Sequence, residues 1–176
     1  MADRPTLLSS CAFAATAVEA GFRIQAPITT RRSARVFTMD PASSRVLETV
    51  SGRHAPETRM LRYEGDLAGA VVNGHGAQAA GGDLMLRAED GSVTRLSSEL
   101  EEADLVIVVA TAGGVGAAVD VIGVACAQRG IGTAGLIVGS EDEVGPAVSA
   151  LRSHARVLMV TRDSDDVLAV LTALRA

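Results

Sequence analysis

The sequence predicts an α/β domain, a three-layer and mostly parallel Rossmann-like sheet with helices on both faces. Three observations carry this. Asp104-Leu105-Val106-Ile107-Val108-Val109-Ala110 is an unbroken apolar run, of the kind buried on both faces in a parallel sheet. Residues 133–138 and 157–161 repeat it, with helix-like segments between. Each run is followed by Gly or by acids, which suit the start of a helix. Residues 99–176 therefore read as a β-α-β-α-β-α unit. A length of 176 residues suits one domain spanning 1–176, long enough to bury a core.

Taken in order, residues 7–20 read as a small-residue helix, with Ser9 or Ser10 as candidate cap and Gly21 as stop. Its alanines suggest close packing on a sheet. Residues 24–30 are ambiguous and hold Pro27. Val36-Phe37-Thr38-Met39 is a short strand, and Asp40-Pro41 turns into a helix over 42–50, with Pro at its first position. Residues 51–69 are polar, with a candidate strand at Met60-Leu61-Arg62-Tyr63. The glycine density of residues 73–82 signals tight turns or close backbone approach. Residues 83–87 fit a strand or a helical turn, 89–92 a turn, and 97–103 a short acidic helix. A helix over 117–128 stops at Gly130. Glu141-Asp142-Glu143 opens a helix reaching Ser153, and Asp163-Ser164-Asp165-Asp166 opens the last one.

Composition removes whole classes of function. Every one of the 16 basic residues is Arg, so lysine-dependent phosphate grips and Schiff bases are excluded. A net charge of −5 with no basic run makes nucleic acid and anionic lipid poor partners. Aromatics at 2% leave almost no stacking platforms for bases. Leu8-Ser9-Ser10-Cys11 looks like a lipoprotein cleavage box, but the apolar stretch before it is too short for a signal sequence. The expectation is a cytoplasmic protein that does not enter a membrane. Cys11 and Cys126 make no disulfide framework, and Cys126 reads as a core residue rather than a nucleophile.

In parallel sheets ligands sit beyond the carboxyl ends of the strands. The Gly113-Gly114-Val115-Gly116 loop ends a strand and opens a helix there. Its backbone amides and the helix dipole form an anion site that needs no charged side chain. A glycine turn of plain packing value explains it equally well. Gly114-Val115-Gly116-Ala117-Ala118-Val119 lacks the third glycine of a dinucleotide fingerprint. Glu141 is a candidate ribose acceptor, though more naturally a helix acid.

His54, His75 and His154 have no metal-ligand spacing, and no metal site is expected. His75 lies between Gly74 and Gly76, where a mobile imidazole serves acid–base or phosphate chemistry; an exposed loop residue is the simpler reading. His154 suits a helix C-terminus. Arg31, Arg32 and Arg35 form either a small anion-contacting cluster or a solvated polar segment. Asp163, Asp165 and Asp166 are Mg²⁺ candidates but look first like helix N-terminal acids.

Several of these segments, in this order, resemble the nucleotide-binding half of the tubulin and bacterial cell-division GTPase superfamily. Cys11-Ala12-Phe13-Ala14-Ala15 through Glu19-Ala20-Gly21-Phe22 is similar to that family's first helix, and Thr38-Met39-Asp40 to its N-T-D turn. Residues 74–82 fall at its third glycine loop. Ala103-Asp104 and residues 106–116 resemble its strand and glycine signature, with both ends kept and the middle lost. Arg162-Asp163 falls where the family reads guanine. The family's first glycine loop is replaced by Leu7-Leu8-Ser9-Ser10, and the catalytic acidic loop has no counterpart. The resemblance implies a degenerate member that binds GTP or another nucleotide through Asp40, Gly74, Gly76, Gly113, Gly114, Gly116 and Asp163, with little or no hydrolysis. The alternative is a non-catalytic subunit acting by self-assembly or by docking to a larger partner. A nicotinamide- or flavin-binding domain using the same loop is a third.

Overall fold

The computed structural model describes residues 33–50, 57–65, 83–113, 116–140 and 142–174. All described elements belong to one unit, Arg32–Ala176. The helix expected over 7–20, the ambiguous stretch 24–30, and Gly74, His75, Gly76, Gly114 and Glu141 lie outside the described residues.

The elements run β1 (Ala34–Thr38), α1 (Pro41–Val50), β2 (Arg59–Tyr63), β3 (Met85–Ala88), β4 (Val93–Arg95) and α2 (Leu96–Glu101). Then follow β5 (Leu105–Thr111), α3 (Ala117–Arg129), β6 (Gly132–Val138), α4 (Gly145–Arg152), β7 (Val157–Thr161) and α5 (Ser164–Leu174). They build a seven-stranded sheet in the order β4-β3-β2-β1-β5-β6-β7. The strands from β2 to β7 across this order are parallel, and β3 and β4 add an antiparallel hairpin at one edge. The three-layer, mostly parallel expectation is met. The hairpin is the addition: residues 89–92 turn as expected, with Gly91 at φ +83°, and β4 follows immediately.

The two faces of the sheet bury separate apolar sets, because alternate strand residues point to opposite sides. On one face Phe37, Val106, Val108 and Ile137 pack beneath Leu96 and Leu100 of α2, Val119 and Ile122 of α3, and Leu151 of α4. On the other, Val36, Ile107, Val109 and Leu136 pack beneath Leu47 of α1 and Val167 and Leu171 of α5. Central β5 is buried along its length from Leu105 to Ala110, as its unbroken apolar run requires. Cys126 is fully buried, and burial pushes its thiol pKa up against the opposing pull of Thr133 and Arg129. It is core, not a nucleophile.

Gly123 marks a close approach. A Cβ there would stand 2.2 Å from the His154 ring, which packs over α3 and meets Asp120 Oδ1 through Nε2 at 2.8 Å. His154 follows the C-terminus of α4 as expected, but its carboxylate partner comes from the neighbouring helix.

Two expectations are corrected. Arg35 is neither solvated nor open to an external anion. It is 2% exposed, and its Nε donates to Glu99 Oε2 at 2.8 Å; Arg59 holds the other carboxylate oxygen of Glu99 at 3.0 Å. A charge so deeply buried must be paired. The helix expected from Glu141 begins later, at Gly145, and ends at Arg152. The amides of Glu143 and Val144 both donate to the Ser140 carbonyl, forming a turn that delays the helix until Pro146 sits in its first turn.

Strand β7 is the parallel edge. Its residues Val157, Met159 and Val160 are 48%, 41% and 39% exposed. Beside it, between β6, β7 and α5, lies an apolar groove of about 390 Å³ lined by Ala134, Leu136, Val157, Met159, Val170 and Ala173.

Candidate functional site

The strand order reverses direction between β1 and β5. From β1 the chain crosses to β2 on one side; from β5 it proceeds to β6 on the other. In open parallel sheets the crevice at such a point, beyond the carboxyl ends, is where ligands bind. Sequence-predicted residues meet there: Asp40 after β1, and Gly113 and Gly116 after β5.

Asp40 closes the near side. Pro41 begins α1, and Asp40 caps it: Oδ1 accepts from the amides of Ala42 at 2.9 Å and Ser43 at 2.8 Å. The same carboxylate reaches across to β5. Oδ2 accepts from the Thr111 amide at 2.9 Å, and Oδ1 from Thr111 Oγ1 at 3.1 Å. Partial burial alone would push this carboxyl's pKa up. Hydrogen bonds from the backbone and side chains of Ser43 and Thr111 outweigh that and hold it below the usual carboxylate range. Asp40 is thus an ionised strap joining β1, α1 and β5.

On the far side, Gly113 and Gly116 are exposed, and a Cβ on either would meet nothing within 4 Å. Gly116 is the N-cap of α3, at φ −136° and ψ −170°, and no side chain caps the helix among the described residues. This leaves a thirteen-residue helix presenting its amino end, the positive end of its dipole, at an open rim.

Asp163 sits at the same edge but two strands away, after β7. Its Oδ1 accepts from the Asp165 amide at 2.9 Å, and Asp166 accepts from Thr161 Oγ1 at 2.6 Å. Both acids serve the start of α5, and the described residues contain no group of three or more metal-ligating side chains. The structure therefore brings Asp40, Gly113 and Gly116 to one place and leaves Asp163 apart.

A feature that sequence reasoning missed lies on the β2 side of Asp40. A cavity of about 180 Å³ opens between α1, β2 and the β3–β4 turn. Thr38, Ser44, Leu47, Met60, Arg62 and Arg87 line it. These residues are scattered over fifty positions, so no local motif announces them. No family model, no curated protein and no solved structure matches this chain.

Proposed function

We propose that this chain is a binding domain for a phosphate-bearing small molecule, foremost a nucleotide, with little or no hydrolytic activity. One observation supports the reading: the amino end of α3, which no side chain caps among the described residues, opens at the point where the strand order reverses, next to Gly113 and Gly116, where a Cβ would meet nothing. A chain without lysine would hold an anion there through amides alone. Asp120, in the first turn of α3, is paired with His154, and the Asp40 carboxylate is already occupied by four donors. It is not free to activate water, which supports binding without turnover. The resemblance to the tubulin and bacterial cell-division GTPase superfamily makes GTP and GDP the first nucleotides to try.

The test is thermal shift with GTP, GDP, ATP and NAD, on the wild type and on Gly116→Asp. The backbone at Gly116 is extended and open, so Asp fits and caps α3 with its own carboxylate. The expected outcome is a variant about 0.3 kcal/mol more stable that has lost any nucleotide-dependent rise in midpoint. A rise that survives in the variant places the ligand elsewhere.

A second reading is favoured by β7, an exposed and uncharged strand that is an unguarded sheet edge among the described residues. In it the chain works as a subunit that assembles with a second copy of itself.

A further inference from the structure

We propose that β7 is a self-recognition edge: two copies of the chain pair their β7 strands antiparallel, about a two-fold axis that passes between the two Met159 residues. This rests on the reading of the chain as a self-assembling subunit and supplies the contact that reading leaves open. It does not depend on the anion rim at α3.

The backbone says what kind of partner fits. β7 is the last strand of the sheet and pairs with β6 alone among the described residues. Its contact with the β6 side runs the whole length of the strand. At one end the Arg156 amide donates to the Thr133 carbonyl at 2.8 Å; at the other the Thr161 carbonyl accepts from the Gly139 amide at 2.8 Å. The outer side of β7 is left with amides and carbonyls that a further strand takes up in regular order.

The side chains narrow the choice. Val157 and Met159 line the groove beside α5, whereas Leu158 packs toward the opposite face. Of the four exposed large apolar side chains among the described residues, three lie on this strand, so the apolar surface is gathered at one edge. A charged partner strand would lose hydration against that surface. β7 carries no charge, so a second copy of it meets the requirement.

Symmetry then fixes the register. Only an axis at Met159 lets all five residues of both strands pair. Val157 faces Thr161 of the partner subunit, Leu158 faces Val160 of the partner subunit, and the two Met159 side chains face each other. Each exposed apolar residue meets another apolar side chain or a threonine. The β4 edge gives no such match: it has three residues, carries Arg95 and runs directly into α2. Pairing β7 with β4 would also leave a free β7 on the next copy and grow an open filament, whereas β7 on β7 closes as a dimer. Exposed Arg156 and Arg162 flank the strand. The register sets Arg156 opposite Arg162 of the partner subunit at both ends. Like charges directly opposite weaken a strand pair, and salt screens them.

The experiment uses the full chain carrying Cys11→Ser, so that buried Cys126 is the one natural thiol left. Met159→Cys under mild oxidation should give a disulfide-linked dimer, because facing residues of an antiparallel pair stand about 4.5–5.5 Å apart at Cα, within disulfide reach. Val160→Cys, which faces Leu158 rather than itself, should not cross-link. In sedimentation the wild-type dimer should strengthen with added NaCl. Arg162→Glu turns both like-charge contacts into opposite ones and should tighten the dimer roughly tenfold, with the salt trend reversed. Met159 and Arg162 are exposed, so these changes leave the fold intact. A wild type that stays monomeric at every concentration overturns the proposal together with the assembly reading. If the wild type associates but Met159→Cys cross-links no better than Val160→Cys, or salt weakens the association, the proposal is overturned and self-assembly runs through another contact.

Discussion

Asp40 shows how much one side chain can organise. Its two oxygens tie the start of α1 to the end of β5, a residue 71 positions on in sequence. The folded carboxyl is held below its ordinary value of 3.8, so the unfolded chain binds that proton more tightly. The stability it contributes is full above that ordinary value, at neutral pH. It is lost as pH falls through the lower folded value. Asp40→Ala should therefore cost about 1–2 kcal/mol at pH 7, the range of a lost N-cap. The two proteins should converge in stability as the solution is acidified. Urea unfolding at a series of pH values checks this. A difference between them that stays constant down to pH 2 would mean that the carboxylate charge contributes nothing.

Among the elements, α2 is the one that packing must hold in place. It has six residues, and its N-cap, Arg95, makes no side-chain cap bond. Such a short helix has no stability of its own. Leu96 and Leu100 anchor it to the sheet, Asp83 accepts from the Ser97 amide, and Glu99 pairs with buried Arg35 of β1 and with Arg59 of β2. Glu99→Ala leaves the Arg35 charge buried without its main partner and should cost about 3–5 kcal/mol. The double change Arg35→Met with Glu99→Leu should recover most of that loss, because matched apolar side chains remove the desolvation penalty along with the pair. A single-variant loss under 1 kcal/mol in urea denaturation would show that the leucines alone hold α2. Legibility follows from the same physics. β5, β6 and β7 could be read because consecutive apolar residues have one explanation in a sheet. β4, of three residues, is too short to display a period. Arg35 misled because its partner lies 64 positions away, a distance that no local pattern spans. The glycine rim was visible for its bare backbone, whereas the Asp40 strap and the Thr38 cavity arise only when separate strands are laid side by side.

For the molecule as a whole, the two sheet edges are treated differently. The β4 edge is short and carries Arg95. The β7 edge is Val-Leu-Met-Val-Thr, with no charge and three large apolar residues exposed. Sheets usually guard an edge with a charge, a proline or a bulge, because unpaired amides and carbonyls recruit another strand. If the chain assembles with its own copy, β7 is where an added strand would continue the sheet and cover the groove beside α5. A lysine at Val160 supplies the missing guard on the face of α3 and α4, while Met159→Lys does so on the face of α5. Each should shift a concentration-dependent oligomer toward monomer in sedimentation. Neither should change the unfolding free energy of the monomer by more than about 0.5 kcal/mol, since both side chains are exposed. A wild type that sediments as a monomer at high concentration, or an oligomer indifferent to both lysines, would remove β7 from the assembly and leave the rim at α3 as the surface that defines this protein.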